Sequence, residues 1–95
     1  MVDMALLVES TVRHTREPRL AYAAAVLLRV VTARGWRAEA AARDLRARLH
    51  DDRTVLRILQ AKVARAMLAR PTATDERAHE TLALALAGIG GEQGS

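Results

Sequence analysis

The sequence predicts an all-α protein, a small bundle of four to five helices, and three observations carry that reading. The apolar half of the chain is mostly Ala, Leu and Val, with no Phe and with Tyr22 and Trp36 as its aromatic content, a composition that suits helices better than strands. Apolar residues recur at helical spacing between Pro18, Gly35, Pro71 and Gly88. Ninety-five residues suffice for one core and not for two. Residues 1–89 therefore read as a single helical domain, and residues 90–95, "GGEQGS", as a flexible tail.

The first helix is expected from Asp3, an N-cap, to about Arg13, burying Ala5, Val8 and Val12. Glu17 stands before Pro18 and is pushed out of the α region, whereas Pro18 suits the first position of a second helix running to about Arg34. That helix is apolar nearly all round from Leu20 to Leu28, the pattern of a central, buried element. Gly35 is expected in a left-handed conformation just past its end, with Trp36 packing back on Val31.

Between Arg37 and Arg70 there is neither Gly nor Pro, so two readings compete. One continuous helix would align Ala38, Ala42, Leu45, Leu49, Asp52, Leu56, Leu59, Val63 and Ala66 in a heptad seam. Asp52 spoils that seam, because an unpaired carboxylate among apolar side chains is costly. The favoured reading turns the chain at "HDD", residues 50–52, with Asp51 or Asp52 capping the next helix and the two helices forming an antiparallel hairpin. Pro71 ends the segment, and Thr72 and Asp75 have capping-box spacing for a last helix. There Leu82, Leu84 and Leu86 alternate as in a strand, but Ala78, Leu82, Ala85, Leu86 and Ile89 form one helical face, which leaves Leu84 pointing away from it.

Charge is segregated along the chain. Residues 1–12 carry −2, residues 13–70 carry 14 cations against 5 anions, and residues 71–95 carry −3, within a net charge of +4. Lys62 is the one lysine, so the cations are nearly all arginines, which suit bidentate carboxylate or phosphate contacts. The absence of Cys removes disulfides and thiolate metal sites. The longest apolar run, "LAYAAAVLL", is far short of the roughly 20 residues a bilayer needs, and the N-terminal residues lack the positive flank of a signal peptide. The expected location is the cytoplasm, with no membrane contact.

No motif points to catalysis, and the chain is read as a non-enzyme without cofactor or metal. Glu76 and His79 form a single E-x-x-H, where di-iron bundles need two such motifs and further glutamates. His50, Asp51 and Asp52 have no neighbouring Ser or Cys to activate, and a helix cap explains the aspartates. His14 and His50 fall near expected helix ends, where a cation meets the negative end of the dipole. A helix-turn-helix is not expected, because "RARLH" after Leu45 continues as helix where that motif would turn.

Arg43, Arg46, His50, Arg53 and Arg57 fall at i, i+3, i+7, i+10 and i+14 and would form a phosphate-following stripe on one continuous helix. A turn at residues 50–52 breaks the stripe and leaves its arginines to pair with the chain's acidic ends, through Asp3, Glu9, Asp75, Glu76 or Glu80. The functional expectation is accordingly a protein-binding module, an adaptor, regulator or inhibitor. It self-associates, as a homodimer, or receives a partner helix in an apolar groove with basic flanks, with Leu84 and these cationic residues as the candidate contacts. The alternative is a nucleic-acid-binding regulator using the arginine-rich surface.

Overall fold

Local sequence terminates each helix. In the computed structural model, which describes the backbone of residues 18–94 and side chains as far as Ile89, four helices are seen and no strand among the described residues. They are α1 (Pro18–Val31), α2 (Ala38–Arg48), α3 (Arg53–Ala69) and α4 (Ala73–Gly94). The helix expected over residues 3–13, together with His14, Asp3 and Glu9, lies outside the described residues.

α1 ends three residues before Arg34, within the β-branched run Val30, Val31, Thr32. Such residues lose rotamer freedom against the preceding turn, and the Leu28 carbonyl accepts both from the Thr32 N–H at 3.1 Å and from the Thr32 hydroxyl at 2.7 Å. Gly35 is left-handed, at φ 75°, as expected. It closes a loop rather than the helix itself, so Trp36 is not the residue that seals the end of α1. Instead Trp36 leans on the core and donates its indole N–H to the Thr81 hydroxyl on α4 at 3.1 Å. α2 starts after Arg37 with no side-chain cap, and this long-range bond fixes the chain where a local cap is missing.

The chain turns at residues 49–52. Asp52 is the N-cap of α3, its Oδ1 accepting from the Val55 N–H at 3.2 Å, which removes the objection to a carboxylate in the apolar seam. Both legs of that seam face inward: Ala42, Leu45 and Leu49 on one side of the turn, Leu56, Leu59 and Val63 on the other, are buried in one core. The antiparallel hairpin expected here is not found among the interhelical contacts. α2 and α3 do not pack along each other; each lies against α1 and α4. The hairpin-like pair is instead α3 and α4, joined by three residues and packed more extensively than any other pair described. Arg70, at φ −163° and ψ 95°, is extended as the residue before a proline must be, and that stops α3.

The Thr72 hydroxyl accepts from the Asp75 N–H at 3.1 Å, so the cap of α4 forms on one side. Its reciprocal half does not: both Asp75 carboxylate oxygens are buried without a hydrogen-bond partner, in keeping with an Asp side chain one methylene shorter than the Glu that closes a full capping box. α4 continues as helix to Gly94, past residue 90, where the tail was expected to begin.

α1 and α4 each touch all three other helices, and α4 makes the larger share of those contacts. The all-round apolarity of α1 had pointed to α1 as the centre. It buries one side through Leu20, Ala23, Ala24, Leu27 and Val31, while Tyr22, Ala25 and Arg29 face solvent. Leu27, Leu45, Leu56, Leu59 and Leu82 are fully buried, each contributing roughly 1.5–3 kcal/mol of transfer free energy. The buried alanines Ala23, Ala24, Ala41, Ala42, Ala78 and Ala85 let the helices approach closely.

Candidate functional site

The corner between α2 and α3 organises the polar surface. The Asp51 N–H donates to the Arg46 carbonyl at 2.9 Å and the His50 N–H to the Ala47 carbonyl at 3.3 Å, the paired bonds of a Schellman motif with His50 at the left-handed position. Glycine is the usual residue there. His50 and Asp51 instead take φ of 52° and 54° in succession, a conformation that costs an L-residue roughly 1–2 kcal/mol. This closure left no glycine signal in the sequence; "HDD" revealed a turn but not its kind.

The corner separates the expected cationic stripe. Arg43 is exposed on α2, beside Arg46, and these two with Ala47 and Asp51 line a shallow recess. Arg46 is half-buried; its Nε donates to Asp51 Oδ1 at 2.9 Å, and its guanidinium lies across α4 where a Cβ on Gly88 would meet it at 2.5 Å. His50 lines a different cleft, with Arg19 and Arg48. Arg53 is half-buried at the start of α3, and Arg57 is exposed one turn on. Leu84, 38% exposed, stands on α4 as expected. Arg43 and Arg46 are thus brought together, and His50 is set apart from them.

Two ion pairs between described residues are local, and a third joins α1 to the cap of α3. Arg48 pairs with Asp44 at 2.8 Å, Arg46 with Asp51, and Arg19 with Asp52 at 3.5 Å. None of these three joins a basic residue to Asp75, Glu76 or Glu80, the acids expected to neutralise them from the last segment. Acids close in sequence reach the arginines with less loss of side-chain freedom than acids on a distant helix, and such exposed pairs add only about 0–1 kcal/mol each.

α3 carries the most one-sided charge. Between Arg53 and Arg70 there is no Asp or Glu, and Arg57, Lys62 and Arg65 form no ion pair with any described acid. Its solvent face has a second periodicity, opposite the buried seam: Thr54, Ile58, Ala61, Arg65 and Leu68, spaced 4-3-4-3, are all exposed. Leu68 is 88% and Ile58 39% exposed, large values for apolar side chains. In heptad terms these occupy a and d, with Arg57 at g and Lys62 at e. The spacing was present in the sequence, but only burial of the opposite face shows which of two overlapping stripes is free.

Elsewhere, Glu76 and His79 are both exposed on α4, and no cluster of three or more His, Asp or Glu able to hold a metal occurs among the described residues. No described helix is long and apolar enough to cross a membrane. The Arg77 guanidinium lies 5.2 Å from the centre of the Trp36 ring, which adds a cation–π contact to the bond with Thr81. No family model, curated protein or solved structure matches the chain.

The four-residue linker also bears on nucleic-acid motifs. Two helices joined by residues 49–52 without packing along each other meet the linker length of a helix-turn-helix. α2 continues past Leu45 as expected and ends at Arg48, where a left-handed His50 takes the place of a glycine, so the turn falls at residues 49–52.

Proposed function

We propose that this protein is a non-enzymatic binding module that receives a partner helix with acidic flanks along the outer face of α3. The observation that supports the reading is the exposed heptad seam Thr54, Ile58, Ala61, Arg65, Leu68, bordered by cations that no described acid neutralises. A helix laid into such a face is held by its a and d side chains, and the e and g charges select it. A glutamate-flanked partner gains attraction at Arg57 and Lys62. A second copy of α3 is a poorer occupant, since Arg57 would face Lys62 in a parallel pair and its own copy in an antiparallel one. The homodimer expected from sequence is therefore replaced by a heterotypic pairing in this proposal.

The second reading, a nucleic-acid-binding regulator, is favoured by one specific observation, the four-residue linker that presents the acid-free α3 as the second helix of a pair. Thr54, Arg57 and Ile58 on its exposed first turns are the side chains that would approach a groove.

One experiment separates the two. The protein is titrated against a synthetic three-heptad amphipathic helix with Glu at e and g, against its Lys counterpart, and against duplex and single-stranded oligonucleotides at low and high salt. The protein-partner reading expects binding of the Glu helix alone, lost in Ile58→Glu and Leu68→Glu. Oligonucleotide binding that weakens with salt and disappears in Arg57→Glu with Arg65→Glu, while neither helix binds, would establish the second reading in its place.

A further inference from the structure

Apart from α3, the structure contains a cleft of about 330 Å³ where α1, the end of α2 and the start of α3 meet. That volume is near the lower limit of small-ligand sites, roughly 300–1,000 Å³, and suits one small aromatic ring system better than a nucleotide. Its floor is apolar, made by the buried side chains of Ala23, Leu49 and Val55. Tyr22, 57% exposed, forms one wall, and an aromatic side chain left this open over an apolar floor offers a stacking face.

The polar lining is Arg19, Arg48, His50 and Asp52. Asp52 is already committed, with Oδ1 capping α3 and Oδ2 facing Arg19. Arg48 uses Nε on Asp44, outside the cleft, which leaves the outer nitrogens of its guanidinium. His50 has an exposed imidazole with no partner among the described residues. The C-terminal end of α2 and the N-terminal end of α3 both adjoin the cleft, and their dipoles oppose each other. Side chains therefore decide the sign, and among the lining residues two guanidinium groups stand against one carboxylate.

His50 supplies an independent observation. It occupies the left-handed helix-closing position that glycine fills at least cost. A strained conformation kept in a side chain lining a cleft is the kind of feature found at binding sites.

We infer that this cleft binds a small aromatic carboxylate, its ring between Tyr22 and the floor of Leu49 and Val55, its carboxylate accepting from Arg48 and His50. The site is separate from the α3 face, and neither depends on the other.

The test is a titration of the full chain, followed by backbone amide NMR shifts, with salicylate and indole-3-acetate, alongside the uncharged indole-3-acetamide and the ring-free hexanoate. The acids should give saturable shifts confined to residues 19–23 and 48–55. The amide should bind about tenfold or more weaker, as should the acids to Arg48→Gln, because hydrogen bonds between charged groups are at stake. His50→Gly relieves the backbone while removing the imidazole, so it should fold at least as stably and bind several-fold more weakly. The inference is overturned by an absence of saturable shifts with either acid, by equal affinity for acid and amide, or by full affinity in His50→Gly. Equal binding of hexanoate overturns the aromatic assignment.

Discussion

Trp36 provides the sharpest test of how the bundle is held, because it does by a long-range contact what a cap would do locally. Its ring is half-buried on the core, its N–H reaches the fully buried Thr81, and Arg77 lies over its face. Burial of a whole Trp is lost at about 3–5 kcal/mol on truncation to Ala, and partial exposure here reduces Trp36→Ala to about 2–3 kcal/mol. Trp36→Phe keeps most of the ring and removes the donor, for about 1 kcal/mol from the bond and some further loss from the weaker cation–π face. Combining Trp36→Phe with Thr81→Val isolates the pair, with an expected coupling of about 0.5–1.5 kcal/mol. Urea unfolding followed by far-UV circular dichroism serves the wild type and all four variants, including Thr81→Val alone, since tryptophan fluorescence disappears in the three that lack Trp36. A cost for Trp36→Phe under about 0.3 kcal/mol, with no coupling to Thr81, would refute the claim that this bond anchors the start of α2.

Asp52→Ala should lower stability by about 1 kcal/mol through loss of the α3 cap, with the exposed Arg19 pair adding little; an unchanged thermal midpoint would deny the cap its role. Gly88→Ala places a methyl against the far end of the Arg46 side chain, which can swing aside, so the gain in helix propensity of up to about 1 kcal/mol should prevail; a clear loss in urea unfolding would mean that Arg46 cannot move. Asp75, 0% exposed and without a hydrogen-bond donor to its carboxyl oxygens, is a buried acidic group whose replacement in Asp75→Asn should raise stability by about 1 kcal/mol despite a weaker interaction with the helix N-terminus. Destabilisation in the same assay would reveal a partner for that carboxylate.

Helices were legible because their signals are local. Pro18 and Pro71, the caps at Asp52 and Thr72, and the Ala and Leu spacing act within a turn or two of the chain, so residue order alone placed α2, α3 and the start of α4 closely and located the bend at residues 50–52. The expected end of α1 at Arg34 lies three residues past the observed one, because the β-branched run Val30, Val31, Thr32 is only a weak local stop signal. The candidate site was legible only in part. Arg43, Arg46, His50, Arg53 and Arg57 were found by spacing, yet spacing on one helix says nothing once the chain turns between them.

What the sequence by itself determined is the helical class, the turn, and a cationic central stretch whose second half has no acids. Tertiary structure decided which stripe of α3 is free, that α4 rather than α1 gathers the other helices, that Trp36 reaches Thr81, and that α2 and α3 meet at a corner. The reason is physical: propensity and capping depend on neighbours in sequence, whereas burial is a competition among faces for one core. Leu56, Leu59 and Val63 fill that core, and Ile58 and Leu68, just as apolar, are left outside it.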